Sequence, residues 1–223
     1  YAINGRELPW RQTTDPYAIW LSEVIMQQTK IAQGTAYWER FIKRWPNVQS
    51  LANATEDEVL REWQGLGYYS RARNLHKAAQ QIVDLGHFPQ TYNELIQLKG
   101  VGEYIAAAVY SIAFAGPVAV VDGNVYRVLA RFFGIEIPID STQGKKIFKA
   151  IAQDNLPKNA PAAYNQGIMD FGAMQCTPTL PNCKVCPLIE YCFAANNNKV
   201  SSLPVKTKKT KQNWKQMPTK MGL

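Results

Sequence analysis

Apolar residues in this chain recur at the helical period, and no segment of six or more residues alternates as a strand flanked by hairpin turns would. No other feature limits the fold as much. Between residues 71 and 85, Ala72, Leu75, Ala79, Ile82 and Val83 share one face, and Gly86 stops the run. Asp15-Pro16 supplies an N-cap and a proline at the first helical position, ahead of an apolar-rich stretch from Tyr17 to Lys30. Thr55 with Glu58 three residues on is a capping box that opens a short amphipathic helix through Trp63. Residues 102–115, 124–133, 142–154 and 161–174 read the same way. The expectation is an all-α protein of about eight to ten short helices joined by short loops.

With 223 residues, 46% of them apolar, the chain can bury a core without covalent staples, so its four cysteines are not needed for that. The N-terminus, YAINGRELPWRQ, has no basic segment followed by an apolar one, so no secretory signal is visible. The longest apolar run, Ile105 to Val121, is interrupted by Ser111, Gly116 and Pro117 and falls short of the roughly 20 residues that a membrane span needs. It reads as a buried helix followed by a turn. A cytoplasmic location, nucleoid-associated in a bacterium, and no membrane partner are expected. From Lys199 to Leu223 there are seven lysines, no acids and no apolar periodicity, the composition of a solvated basic tail. The formal net charge is +8, yet residues 1–198 hold 18 basic against 17 acidic side chains. Affinity of that body for a polyanion must then come from local placement, with Arg71, Arg73 and Lys184 as candidates.

Four stretches carry chemistry. Cys176, Cys183, Cys186 and Cys192 follow a C-x6-C-x2-C-x5-C spacing threaded by Pro178, Pro181 and Pro187. Without an export signal, disulfides are disfavoured, and a four-thiolate metal site is the natural reading. The candidates are zinc and a 4Fe–4S cluster; zinc loops usually space both pairs by about two to four residues, which favours iron–sulfur here. Leu98-Lys99-Gly100-Val101-Gly102, between a short helical run (Tyr92 to Gln97) and a helix, exposes backbone amides at a positive helix end, an arrangement suited to a phosphate. A glycine-closed hairpin with packing duty alone fits the same residues.

Glu23 and Asp122 are acids in apolar surroundings. Desolvation raises a carboxyl pKa, as a general acid near neutral pH requires, and a second, ionised acid can stabilise a cationic transition state. A solvent-facing helix carboxylate at Glu23 and an ordinary helix cap at Asp122 are the plainer alternatives. Gln27-Gln28-Thr29 closes the Glu23 helix, and residues 65–73 combine turn glycines, Tyr68, Tyr69, Arg71 and Arg73. Aromatic residues beside arginine at a loop can wedge into a base stack and hold phosphates; buried tyrosines and a solvated arginine helix fit as well.

Taken together, LPWR (8–11), SEVIMQQT (22–29), GLGYYSRARNL (65–75), LKGVGEY (98–104), VDGNVYRV (121–128) and the cysteine loop resemble the helix-hairpin-helix DNA glycosylase superfamily, in particular its adenine glycosylase (MutY-type) branch. The resemblance spans about residues 5–205 and implies two helical subdomains with a DNA-binding cleft between them and a C-terminal 4Fe–4S cluster loop. A catalytic domain over 1–198 is implied, with a six-helix half at 30–140 and a cluster-bearing half made of 1–29 plus 141–198. Residues 199–223 resemble a basic linker to an 8-oxoguanine-reading domain that is absent from the chain.

The implied reaction is hydrolytic removal of an adenine mispaired with 8-oxoguanine or guanine, after the base is flipped out of double-stranded DNA. The implied catalytic residues are Glu23 as the acid that protonates adenine, Asp122 as stabiliser of the oxocarbenium ion, Asn124 as a group that positions Asp122 or the nucleophilic water, and Tyr104 where bifunctional relatives carry a Schiff-base lysine. A phenol forms no imine, so a monofunctional enzyme is expected. Trp10, Arg11 and Gln166 match adenine-pocket positions, and Gln28 and Tyr68 match residues inserted near the opposite base. Gly100 and Gly102 match hairpin positions that face the DNA backbone, in the family often through a monovalent cation. The chain is expected to act as a monomer. The alternatives are a bifunctional pyrimidine glycosylase/lyase of the same fold, a noncatalytic helix-hairpin-helix module, and a zinc-binding interaction protein.

Overall fold

The structure, a computed structural model, describes residues 3–207. A 3-10 turn, Pro9–Arg11, leads into α1 (Pro16–Met26), α2 (Ile31–Arg44), α3 (Val48–Ala52), α4 (Glu56–Trp63), α5 (Ser70–Asp84), α6 (Tyr92–Leu95) and α7 (Glu103–Phe114). The chain continues through α8 (Gly123–Phe133), α9 (Thr142–Asp154) and α10 (Pro161–Met174). Two further 3-10 turns, Cys183–Val185 and Ile189–Tyr191, precede a last short helix, α11 (Phe193–Asn196). No strand forms among the described residues, as the sequence pattern predicts.

Local chemistry sets the helix ends. The Asp15 carboxylate accepts from the amides of Tyr17 and Ala18 at the start of α1. Reciprocal capping boxes open α4 (Thr55 with Glu58) and α6 (Thr91 with Glu94). Eleven α-helices appear among the described residues, more than the eight to ten expected. The sequence reading did not single out α2, α3 and α11. Of these, α3 is a five-residue helix capped by Asn47 and Ser50, and α11 is four residues long, so neither shows a full period.

Buried apolar residues form two clusters that meet on α7. One runs from Leu8 to Val109 and takes in the Pro9–Arg11 turn and α1 to α7, with Trp20, Phe41, Leu51 and Trp63 fully enclosed. The other runs from Ala107 to Leu203 and takes in α8 to α11. Within these clusters α1 lies on α2 and α7, α8 lies on α9, α10 and α11, and α10 also packs on α7. No described helix is long and apolar enough to cross a membrane.

The expectation of a solvated tail from Lys199 is corrected for residues 199–207. Leu203 is 3% exposed, its carbonyl accepts from Arg131 Nε at 3.0 Å, and Val205 O accepts from Ile139 N at 3.0 Å. Asp140 Oδ1 accepts from the amide and hydroxyl of Thr207 at 2.9 and 2.8 Å. The apolar Val200, Leu203 and Val205, spaced among lysines, supply burial that charge composition conceals. The remainder of the expected tail, 208–223, lies outside the described residues. Leu203→Ala is expected to cost about 2–5 kcal/mol in urea unfolding, where a solvated side chain would cost nothing measurable.

Candidate active site

The N-terminal segment and helices α1, α7, α8 and α10 converge on a pocket of about 200 Å³. Trp10, Arg11, Glu23, Tyr104, Asp122, Asn124 and Gln166 all line it, between apolar walls that include Leu8, Ile19, Ile112 and Met169. Residues separated by as many as 163 positions in sequence, Arg6 and Met169, therefore share one cavity. A dry cavity of about 150 Å³ takes up benzene, so this one suits a planar ring.

Glu23 sits on α1 with its carboxyl facing the pocket. Burial pushes its pKa from the ordinary 4.5 up to about 7. A hydrogen bond from the Tyr104 hydroxyl opposes that shift, the nearby Asp122 charge adds to it, and Arg11 opposes it more weakly. Tyr104 is itself held well above the usual phenol range, by burial first and then by the charges of Glu23 and Asp122, so its hydroxyl keeps its proton. Met169 Sδ lies 3.9 Å from that hydroxyl.

Asp122 is the N-cap of α8 and a wall of the pocket at once. Its Oδ1 accepts from the amides of Asn124 and Val125, each at 2.8 Å, and Oδ2 accepts from Asn124 Nδ2 at 2.7 Å. The capping that offered a plain account of this residue is what aims its carboxylate. Asn124 Oδ1 in turn accepts from Arg127 Nη2 at 2.9 Å, and Arg127 Nε donates to the carbonyl of Cys176 at 2.6 Å. Gly172 on α10 lets this turn approach closely: a Cβ there would stand 2.7 Å from Asn124 Cβ.

Gln28, Tyr68, Gly100 and Gly102 do not line this pocket. Gln28 and Tyr68 are exposed, Tyr68 by 65%, and both hold left-handed backbone, with φ of 55° and 46°. Gly100 has φ of 77° and faces Asn74 so closely that a Cβ would come within 2.6 Å of it, whereas Gly102 is the N-cap of α7. The expectation that Arg71 holds phosphate is corrected. Arg71 turns inward onto backbone carbonyls, and Arg73 Nε pairs with Glu56 at 3.1 Å. Lys184 is exposed in the cysteine loop.

The four cysteines are free thiols, each partly buried, and all four line one small pocket beside Arg131, Phe171 and Pro181. Burial, and then the proximity of the other three sulfurs, pushes the Cys183 thiol up. Four thiolates this close repel one another unless a cationic group lies among them, so the donor set fits a thiolate-bound metal centre. Among the described residues, no three Cys, His, Asp or Glu side chains converge on a single ion position. Arg131 Nη1 stands 3.5 Å from Cys176 Sγ and also donates to the carbonyl of Thr177 at 2.7 Å.

Residues 21–156 match the HhH-GPD superfamily base excision DNA repair proteins. The chain belongs to that superfamily. It is 37% identical to an adenine DNA glycosylase of Buchnera aphidicola (subsp. Schizaphis graminum) over 96% of this chain and 64% of that one. It is 42% identical to the human adenine DNA glycosylase over 87% of this chain and 38% of that one. The chain thus spans less than two thirds of either relative. Its fold is similar to that of a thermostable thymine-DNA glycosylase, with TM-score 0.79 and 28% identity, covering 86% of this chain and 89% of that one. It is similar also to endonuclease III in a non-covalent complex with DNA, with TM-score 0.71 and 25% identity, covering 82% and 85%.

In this HhH-GPD chain the sequence reading missed the ion-pair network behind the pocket. Asp170 on α10 is 2% exposed and takes Arg11 in a two-pronged pair, Nη1 to Oδ2 at 2.6 Å and Nη2 to Oδ1 at 2.9 Å. Arg6 adds its amide at 2.9 Å and its Nε at 2.7 Å. Burial raises the Asp170 carboxyl, but the bonds and charges of Arg11 and Arg6 outweigh it and hold the group below its usual range. The signal was available: Asp170 lies in the apolar run Ile168-Met169-Asp170-Phe171, the context that singled out Glu23.

Between pH 4.5 and about 7 the unfolded chain releases a proton from Glu23 that the folded chain keeps. The stability linked to this group is therefore full below about pH 4.5 and falls as pH rises to about 7. Relative to wild type, Glu23→Gln is expected to gain on the order of 1–3 kcal/mol at about pH 8 and nothing comparable at about pH 4, in urea unfolding at both pH values.

Proposed function

We propose that this chain removes adenine from double-stranded DNA, where the base is mispaired with 8-oxoguanine or guanine, by hydrolysis of the N-glycosidic bond. The observation that carries the reading is a carboxyl with a pKa of about 7 enclosed in a ring-sized pocket beside a second carboxylate. The names of the curated relatives support adenine as the base. The flipped adenine enters between Trp10 and the apolar walls, with Arg11 and Gln166 facing its polar edge. Glu23 protonates the base at N7, so the bond breaks with a neutral leaving group. The cationic sugar that remains faces Asp122, whose carboxylate is aimed by the α8 amides and Asn124 and stabilises it until water adds.

A lyase step needs a primary amine within the pocket, and Tyr104 offers a phenol. No lysine is among the described residues that line the pocket, which supports a monofunctional enzyme over a pyrimidine glycosylase/lyase. The two packing clusters would flank the DNA, with Gln28 and Tyr68 inserted into the stack from one side. The amides at Gly100 and Gly102 would face the backbone, with or without a monovalent cation. We place the chain as a monomer working on DNA in the cytoplasm.

A 4Fe–4S cluster held by Cys176, Cys183, Cys186 and Cys192 is part of this reading. The C-x6-C-x2-C-x5-C spacing, in which only the middle pair is as close as zinc loops usually require, supports a multi-iron group over zinc, and the four sulfurs share one pocket. When bound, the cluster supplies the positive charge that four thiolates require. Arg131 and Arg127 bind the loop through the carbonyls of Thr177 and Cys176, and so hold it against α8.

The decisive assay is base release from duplexes with adenine opposite 8-oxoguanine, guanine or thymine. Alkali-labile breaks are expected on the adenine strand, with no borohydride-trapped adduct; intact strands after alkali would refute the reading. The rate constant of base release is expected to fall as pH rises through about 7, since the acid form of Glu23 acts. Glu23→Gln is expected to keep duplex binding and lose base release. Analysis of the purified chain is expected to find about four irons and four sulfides per chain, and loss of both in Cys186→Ser. Zinc without iron would overturn the cluster assignment.

A further inference from the structure

The Arg71 side chain lies between the turn that ends α1 and the turn that leads into α5. Its Nη1 donates to the carbonyls of Val24 and Ile25, each at 3.3 Å, and to that of Gln27. Its Nη2 donates to the carbonyls of Leu66 at 3.2 Å and Gly67 at 3.4 Å. The guanidinium carbon stands 5.1 Å from the Trp63 ring and 5.7 Å from the Tyr68 ring. Each of the two turns carries a non-glycine residue in left-handed backbone, Gln28 in one and Tyr68 in the other. L side chains hold that conformation only where the surroundings impose it.

We infer that Arg71 is a positioning residue that ties the Gln27–Thr29 turn to the 65–69 turn and holds Gln28 and Tyr68 as a single rigid probe. The inference rests on the proposed insertion of those two side chains into the duplex. The fork of the guanidinium is what the arrangement needs, because separate nitrogens serve separate turns. A lysine has three donors on a single nitrogen and lacks the rigid planar fork that presents separate N–H groups to each turn. The Val24 and Ile25 carbonyls it caps belong to the last turn of α1, directly before the Gln27–Thr29 turn.

The test uses a duplex with 2-aminopurine beside the target adenine, whose fluorescence rises on unstacking, and single-turnover base release from two substrates. In one, adenine faces guanine; in the other it faces an abasic site, where the stack is already open. Arg71→Lys is expected to keep its circular dichroism and thermal midpoint, to lose the fluorescence rise, and to slow release about 10²-fold on the first substrate. On the second substrate the slowing is expected to stay under about tenfold, because little insertion is needed there. Equal slowing on both substrates overturns the proposal, since the damage then lies in the pocket. An unchanged fluorescence rise overturns it too.

Gln28→Ala and Tyr68→Ala, singly and together, supply a measurement that needs no Arg71 variant. Their effects on fluorescence are strongly non-additive if the two side chains act as one probe, and additive effects overturn the proposal. If neither single variant lowers the fluorescence rise, the insertion reading itself fails, an outcome distinct from a defect confined to Arg71→Lys.

Discussion

A carboxyl kept out of water without being left unpartnered is the constraint on which the pocket depends. Burial raises Glu23 to a pKa of about 7, and an isolated buried charge would cost several kcal/mol. The Tyr104 hydroxyl and the nearby Arg11 limit that cost. Arg11 is held in turn by the two-pronged pair with Asp170, to which Arg6 also binds. The N-terminal segment is thereby fastened to α10, across the pocket from α1. Burial is what keeps a proton on Glu23 near neutral pH, while the Tyr104 bond and Arg11 favour the ionised form and hold the pKa down to about 7.

The turn at residues 122–124 couples a second set of demands. Its carboxylate satisfies the orphan amides at the start of α8 and presents one face to the pocket. Behind it, Arg127 spans from Asn124 to the carbonyl of Cys176, so the turn and the cysteine loop share a buried cation. Arg131, one turn further along α8, holds the same loop and also the segment at Leu203. Two arginines spaced four apart thus fasten the segments at 172–178 and Leu203 to one helix.

Much of the local structure was readable from the residues. Asp15-Pro16, Thr55 with Glu58, and Gly86 mark helix ends because capping is a contact between near neighbours. Glu23 and Asp122 stood out as acids in apolar runs, and that context is a fair proxy for burial. The same rule, applied to Ile168-Met169-Asp170-Phe171, would have found Asp170. Leu203 escaped because lysine-rich composition masks three apolar residues that pack. Arg71 was read as a phosphate contact because sequence shows its charge and not its direction; only the carbonyls of two distant turns reveal that it faces inward.

The sequence by itself determined an all-helical chain, where most helices begin, which acids lie in apolar surroundings, and a cysteine spacing suited to a metal centre. These follow from contacts within a few residues, for which spacing is sufficient information. Tertiary structure alone decided that Trp10, Glu23, Tyr104, Asp122 and Gln166 share one cavity, that the Glu23 pKa settles near 7, and which arginines serve the interior. Desolvation and pairing depend on what the fold packs around a group, and that is set by helices far apart in the chain.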